Sequence, residues 1–113
     1  MIVSGTSLTM TRGDTEILTL SLQNDDGSEV TLVDGDIVYF TVKINVNTAV
    51  KSFQKIIREF TDGKAVIRIE HDDTKNLPYG RYVYDIQLTR LNGSVTTVVK
   101  PSTFTLNSEV TYE

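Results

Sequence analysis

Apolar residues recur at every second position in several short stretches of this sequence, and this period of two constrains the fold more than any other feature. The clearest stretch covers residues 81–90, in which one face carries Tyr82, Tyr84, Ile86 and Leu88. Successive side chains of a β-strand point to opposite faces of the sheet, so the stretch predicts a strand with one buried face. We therefore expect the face with the two tyrosines to lie in the core.

Shorter stretches of the same kind predict further strands, at residues 15–22, 37–44, 65–70, 95–100 and 103–106. The apolar faces of the first two are formed by Leu18, Leu20 and Leu22, and by Val38, Phe40, Val42 and Ile44. Pro101 predicts a break or bend between the last two segments, because proline cannot donate to a sheet ladder.

Residues 50–60 suit one face of a helix about as well as a bent strand, through Val50, Phe53, Ile56, Ile57 and Phe60. The strand is favoured because residues 61–64, Thr-Asp-Gly-Lys, are typical of a hairpin turn and a short β-branched segment follows. We therefore expect residues 50–60 and 65–70 to pair antiparallel.

Turn residues separate these segments at positions 24–28, 34–36 and 91–94, where Gly, Asn and Asp are concentrated. Residues 71–77 are polar and predict a single helical turn that crosses from one sheet to the other. About seven or eight short strands with such turns predict an all-β fold, an antiparallel Greek-key β-sandwich of the immunoglobulin-like type. The length of 113 residues fits one domain, residues 1–113.

Charge and composition disfavour several function classes. The net charge is −4 and the pI is near 4.9, whereas a protein that binds nucleic-acid phosphates gathers Lys and Arg on one face. The chain has no cysteine, so it offers neither a disulfide nor a cysteine nucleophile. Its start lacks the features of a signal peptide, and no apolar run is long enough to span a membrane. We expect a soluble protein that binds no nucleic acid and inserts into no membrane.

Patterns for catalysis and metal binding are weak. His71 is the single histidine, and its segment lacks a nucleophile-elbow sequence, so a Ser-His-Asp triad is not expected. His71, Asp72 and Asp73 are neighbours without the spaced second cluster of a zinc site or the residue order of a calcium loop. No glycine cluster is placed to hold phosphates. We expect no enzymatic activity, no cofactor, no metal and no small-molecule substrate.

Two further sets of residues are interpreted as structural. Asp34, Asp36 and Asp85 are candidates for acid–base chemistry, although carboxylates in a sandwich normally mark turns and outer faces. Residues 12–14 match the Arg-Gly-Asp tripeptide that integrins read, but a glycine flanked by charged residues between two strands is typical of a turn.

The most specific local signal precedes the strand at residues 81–90. Leu77, Gly80 and Tyr82 resemble the tyrosine corner of Greek-key sandwiches, in which the tyrosine hydroxyl bonds back to the backbone. Tyr84 then occupies the place of the second cysteine of antibody domains. We expect apolar packing to replace the disulfide there.

The order of these motifs resembles that of small phage and prophage virion proteins. In chain order the motifs are Arg12-Gly13-Asp14-Thr15, Asp34-Gly35-Asp36, Asp62-Gly63-Lys64-Ala65, the run of Leu77, Gly80, Tyr82 and Tyr84-Asp85-Ile86-Gln87-Leu88, and Thr96-Thr97. The chain is similar to the N-terminal immunoglobulin-like domain of baseplate upper proteins in tailed phages of Gram-positive bacteria, and to short proteins encoded among tail genes. The likeness covers about residues 8–107.

This resemblance implies a structural module without catalytic residues, located in the virion and assembled in the cytoplasm of the bacterial host. Its partners are then other virion proteins and further copies of itself, with docking through sheet edges and loops. The candidate loop contacts are Pro78 and Tyr79 and the turn residues Asn92 and Gly93, because a loop aromatic beside Gly or Pro often anchors an interface. The alternative, which the sequence favours, is that these residues form ordinary surface loops.

Two other function classes stay open at the level of the sequence. A carbohydrate-binding accessory module is the first, since sandwiches commonly bind sugars through aromatics on one face, but the chain has no Trp and most of its Tyr and Phe are expected in the core. A small hydrolase is the second, and the lone histidine disfavours it. Titration with glycans and an activity screen separate these classes from a structural module.

Overall fold

The computed structural model describes residues 7–23 and 26–110, which form strands and one short helix. The strands in this part of the chain are β1 (Leu8–Thr11), β2 (Glu16–Leu20), β3 (Leu22–Gln23), β4 (Glu29–Val30), β5 (Ile37–Lys43), β6 (Phe53–Ile57), β7 (Ala65–Ile69), β8 (Gly80–Thr89) and β9 (Val95–Asn107). The helix α1 covers His71–Thr74. No helix among these residues is long and apolar enough to cross a membrane. The predicted all-β class is confirmed.

Five strands form one sheet in the order β1-β9-β8-β5-β6. Its neighbours pair antiparallel except β1 and β9, which run parallel with Leu8 opposite Phe104. Two smaller antiparallel sheets, β2–β7 and β3–β4, complete the arrangement. The sheets pack in a sandwich-like arrangement, so that their apolar faces cover each other.

A cluster of aromatic rings lies at the centre of the core. Phe40, Phe53, Tyr84 and Phe104 come from β5, β6, β8 and β9, and their contacting ring centroids lie 5.5 to 6.5 Å apart in tilted or edge-to-face arrangements. The inward residues of β7, from the second sheet, are also fully buried. Because aromatic side chains bury large apolar areas, this cluster supplies a large part of the hydrophobic stabilisation.

The predicted alternation of β8 is confirmed. Tyr82, Tyr84, Ile86 and Leu88 are buried, and the residues between them lie on the other face with intermediate exposure. One face of this ten-residue strand therefore lies in the core, and its other face points outwards.

Two other strands are shorter than predicted. β5 ends before Ile44, which is exposed at the start of the next loop, so the prediction that Ile44 faces the core is wrong. The first predicted strand is interrupted at Ser21 and divides into β2 and β3. Its apolar face is confirmed, since Leu18 and Leu20 pack against the core and Leu22 is buried.

The predicted pairing of β6 with β7 is wrong. β6 pairs with β5, whereas β7 pairs with β2 in the other sheet. The expected turn at residues 61–64 does form, with a bridge between Thr61 and Lys64 and with Asp62 in the left-handed region at a φ of 53°. The chain between Ile57 and Thr61 passes from one sheet to the other, a crossing that every sandwich requires.

β9 is one continuous strand, with Pro101 inside it, so the predicted break is replaced by a local irregularity. The register against β8 shifts beside this proline, because Tyr84 faces Ser102 but Ile86 faces Val99. The additional residue forms a bulge, which is a position where a strand accommodates proline. The register shifts a second time directly after this, because Ile86 faces Val99 but Gln87 faces Thr97. At this second irregularity Val98 and Val99 are both buried, although successive residues normally face opposite ways.

The connections follow the predicted turns. α1 leads from β7 to β8 in the other sheet, which confirms the helical turn that crosses between sheets. The Arg90 N–H donates to the carbonyl of Ser94 at 2.8 Å and closes the turn between β8 and β9. Of the turn predicted at residues 24–28, Asn24 and Asp25 lie outside the described residues, and β3 and β4 pair on either side of it.

We expect Phe104→Ala to lower the free energy of unfolding by about 3–5 kcal/mol, because it removes a fully buried ring and leaves a cavity within the aromatic cluster. Val95→Ala, in the same strand but at an exposed position, should change that energy by less than about 0.5 kcal/mol. Urea unfolding followed by circular dichroism measures both variants. Equal losses for the two would contradict the central role of the aromatic cluster.

Candidate functional site

The outer face of the five-stranded sheet, on the side away from the core, carries a groove of about 400 Å³. We call it the outer-face groove, and its lining includes Tyr39, Thr41, Gln54, Asp85, Gln87 and Pro101. Ligand pockets in proteins typically measure about 300–1,000 Å³, so the groove has the size of a site for a small ligand.

The pairing register of three strands builds the floor of this groove. The inner face of β5 is buried, so Tyr39 and Thr41 point outwards. Thr41 lies opposite Gln54 on β6 and opposite Asp85 on β8. Tyr39 lies opposite Gln87, also on β8. A row of three polar side chains therefore crosses the floor beside an aromatic residue.

The loop between β5 and β6 forms one wall of the groove through Val46 and Lys51. The side-chain carbonyl of Asn45 accepts two backbone N–H groups of this loop, each at 3.0 Å, and so fixes its course. On the opposite side Pro101 lines the groove at the bulge of β9, where the ladder between β8 and β9 skips Asp85. The groove is thus a depression between a hairpin and a bulge.

The polar side chains of the floor differ in the hydrogen bonds that they make within the protein. Gln54 Nε2 donates to Thr41 Oγ1 at 2.8 Å, and Lys51 Nζ donates to Gln54 Oε1 at 3.3 Å. Burial raises the pKa of the Asp85 carboxyl, and the charge of Lys43 offsets this in part. No hydrogen bond within the described part of the chain reaches the Asp85 carboxylate. A perturbed ionisable group in a groove is a mark of a functional site.

The other two aspartates considered from the sequence have different positions. Asp36 is buried, and its carboxylate accepts the backbone N–H groups of Val33 and Leu91, each at 3.0 Å. These bonds tie the turn before β5 to the turn after β8. Asp34 is exposed in the first of these turns. Of the three carboxylates, Asp85 is the one that lines the groove.

His71 takes part in a structural contact at the start of α1. Its Nδ1 lies 2.5 Å from the carbonyl oxygen of Gly13, and the Gly13 N–H donates to the Thr74 hydroxyl at 2.8 Å. Residues 12–14 form a turn between β1 and β2, and these contacts fasten it to the helix. Within the ranges that the structure describes, no group of three or more His, Asp or Glu residues is placed to hold a metal ion.

The residues of the predicted corner lie together at the start of β8. The hydroxyl of Tyr82 donates to the backbone carbonyl of Pro78 at 2.5 Å, and burial raises the pKa of this hydroxyl. Gly80 begins the strand with a φ of 144°, a conformation that favours glycine. Leu77 packs against the core, and its N–H donates to the carbonyl of Thr74. The hydrogen bond of Tyr82 thus holds the chain as it enters β8.

Tyr79, one of the expected contact residues, is exposed beside this corner. The guanidinium of Arg12 lies 5.3 Å from the centre of its ring. Arg12 also binds the carboxylate of Glu109 at 2.6 Å, and this hydrogen bonding lowers the pKa of Glu109. Arg12 in addition donates to the carbonyl of Leu77 at 3.2 Å. Its side chain is therefore engaged within the domain.

The expected contacts at Asn92 and Gly93 lie beyond the other end of β8. Ten strand residues separate them from Pro78 and Tyr79, a span of roughly 30 Å. The structure does not bring the two expected contact sites together. A partner would therefore have to contact each of these two sites separately.

Sequence reasoning missed an exposed apolar group in the loop between β5 and β6. Ile44, Val46 and Val50 of this loop are exposed. We call these three residues the hairpin tip. The sequence signal is three aliphatic residues in a loop rich in Asn, Thr and Ser, but the strand patterns at residues 37–44 and 50–60 include two of them.

The chain matches no protein-family model, and no curated protein shows significant similarity to it.

Asp85→Asn should raise the midpoint of thermal unfolding at about pH 7, because burial disfavours the charged carboxylate in the folded state. The pKa of Asp85 is raised on folding, so its contribution to stability is full below the unfolded pKa of about 3.9 and is lost as the pH rises. The gain from Asp85→Asn should therefore shrink as the pH is lowered towards that value. Differential scanning fluorimetry across pH measures it, with the exposed Asp34→Asn as control. A gain that is independent of pH would contradict this origin.

Tyr82→Phe should lower the free energy of unfolding by about 1–2 kcal/mol, because the carbonyl of Pro78 loses its hydroxyl donor. Tyr79→Phe is the matched control and should change that energy by less than about 0.5 kcal/mol, since Tyr79 is exposed. Urea unfolding at neutral pH measures both. A Tyr82→Phe variant as stable as the unsubstituted chain would show that the hydroxyl bond does not hold the corner.

Proposed function

We propose that this chain is an immunoglobulin-like Greek-key sandwich that serves as a non-catalytic structural module of a phage or prophage virion, in a tail, neck or baseplate. The parallel pairing of β1 with β9 and the hydroxyl bond of Tyr82 to Pro78 support the fold assignment. The order of sequence motifs over about residues 8–107 supports the virion assignment. The module is assembled in the cytoplasm of the bacterial host and resides in the virion.

The hairpin tip is the observation that carries a docking function. Ile44 is 67% exposed, Val46 59% and Val50 74%. Scattered exposed apolar residues are ordinary, but a group of them on one hairpin marks an interaction surface. Covering these side chains with a partner would remove their apolar area from water, which favours association.

The edge of the five-stranded sheet beside the hairpin tip supports the same proposal. β6 pairs with β5 on one side, and within the described ranges no strand pairs with its other side. Proteins often guard such edges with an exposed lysine or a proline. β6 contains no proline, and its Lys55 is bound to Asp73 at 2.9 Å. The backbone groups on the side of β6 that faces away from β5 are thus free to pair with a strand of a partner.

The partners proposed are a second copy of this chain and other virion proteins. The hairpin tip and the β6 edge form the main contact. Pro78 and Tyr79 at one end of β8, and Asn92 and Gly93 at the other, are further proposed contacts, which a virion lattice would place against different neighbours.

A carbohydrate-binding accessory module is the second candidate function. The observation in its favour is the outer-face groove, where Tyr39 lies beside a row of polar side chains. This function uses the face of the sheet and not its edge.

Light scattering behind size exclusion, at several protein concentrations, tests the docking proposal. We expect a discrete oligomer, because assembly modules of this kind form closed symmetric contacts. The double variant Ile44→Ser with Val50→Ser should return the chain to a monomer, since both side chains are exposed and neither supports the core. Ile44 and Val50 are also absent from the lining of the groove.

The control for this experiment is Val95→Ser, which replaces an equally exposed valine at the opposite end of the molecule. It should leave the oligomer unchanged. A chain that remains monomeric at every concentration contradicts self-docking and restricts the proposal to a different virion protein. An oligomer that resists the double variant contradicts the hairpin tip as the contact.

A further inference from the structure

The floor of the outer-face groove offers hydrogen-bonding groups that the protein itself does not use. Asp85 and Gln87 lie on the outer face of β8 at intermediate exposure. Neither side chain makes a hydrogen bond to another residue in the part of the chain that the structure describes. No fully buried side-chain polar atom among the described residues lacks a partner, so water reaches these two groups, and a ligand that bonds to them would take the place of that water.

The charges around the groove restrict the chemical class of that ligand. Lys43 and Lys51 line it together with Asp85. An ammonium group only donates and an ionised carboxylate only accepts, so a ligand that meets both must offer donors and acceptors close together. Hydroxyl groups offer both. A cationic ligand would be repelled by the two lysines, and an anionic ligand would be repelled by the Asp85 carboxylate.

The geometry of the sheet also argues against an extended peptide as the ligand. The backbone groups of β5 and β8 at the floor are already paired in the ladder between these strands. A peptide lying on this face therefore has no strand edge to extend, and the groove presents side chains alone. Tyr39 adds an aromatic side chain to the lining, and sugar rings present apolar C–H faces to such residues.

We infer that the outer-face groove is a binding site for a neutral saccharide, with Tyr39 as the stacking residue and Asp85, Gln54 and Gln87 as hydrogen-bonding residues. The groove volume of about 400 Å³ fits a short oligosaccharide segment. The inference rests on the second candidate function, the carbohydrate-binding module, and names its ligand class and residues. It does not rest on docking through the hairpin tip, and either site can exist without the other.

Chemical-shift mapping on the uniformly ¹⁵N-labelled full chain tests this inference. The probes are cellotriose, maltotriose and chitotriose as neutral trisaccharides, each up to about 10 mM, with the glucosamine trimer as a cationic probe and trigalacturonate as an anionic one. We expect at least one neutral trisaccharide to shift the amide signals of Tyr39, Gln54, Asp85 and Gln87. The charged trisaccharides should bind at least about tenfold more weakly.

Matched variants separate binding in the groove from a general effect on the fold. Tyr39→Ala and Asp85→Asn should each weaken the affinity for the neutral trisaccharide by about tenfold or more. Asp85→Asn is expected to be more stable than the unsubstituted chain, so a loss of binding in it cannot arise from unfolding. Ile37→Ala, on the same strand and face but outside the lining, and the exposed Asp34→Asn should bind normally.

Three outcomes would overturn the inference. One is the absence of any shift with all three neutral trisaccharides at the highest concentration. Another is a set of shifts that map to the hairpin tip and leave the floor of the groove unchanged. The last is an equal affinity for the cationic trimer, which would replace the neutral class by a charged one. None of these outcomes depends on the oligomeric state that light scattering measures.

Discussion

Phe40, Phe53, Tyr84 and Phe104 come from four adjacent strands and meet on the inner side of the five-stranded sheet. Because strand side chains alternate, fixing these rings inside the core also fixes which residues face outwards. A slip of one residue in any of these strands would send its ring to the solvent. The same packing that stabilises the core therefore sets the floor of the outer-face groove.

The outer face and the hairpin tip depart from what stability alone would select. The Asp85 carboxylate is partly withdrawn from water without a hydrogen-bond partner in the described part of the chain, and three aliphatic side chains are exposed in one hairpin loop. Local departures of this kind tend to coincide with functional sites, where interactions with a ligand or partner offset them. The loop between β5 and β6 connects the two features, because it carries the hairpin tip and its Val46 also lines the groove.

Much of the fold could be predicted from the sequence, but the site could not. β8 was recognised along its length because its alternation is unbroken. The pairing of β6 with β5 was not predicted, because a turn that closes a hairpin and a turn that follows a crossing between sheets contain the same residue types. The groove depends on Thr41, Gln54 and Asp85 being aligned across three strands. The register between strands that lie far apart in the sequence is set by tertiary packing, and a local sequence pattern carries no information about that packing.

The parallel pairing of β1 with β9 has a consequence for how the domain is made. Leu8 pairs opposite Phe104, and Arg12 near the end of β1 binds Glu109 beyond β9. A ribosome needs roughly 5–20 s to add the 113 residues, and through most of that time β1 has no partner strand. Such long-range pairing closes a large loop and is slow compared with the pairing of neighbouring strands. β1 therefore cannot take its place in the sheet until β9, almost a hundred residues later in the chain, has been synthesised.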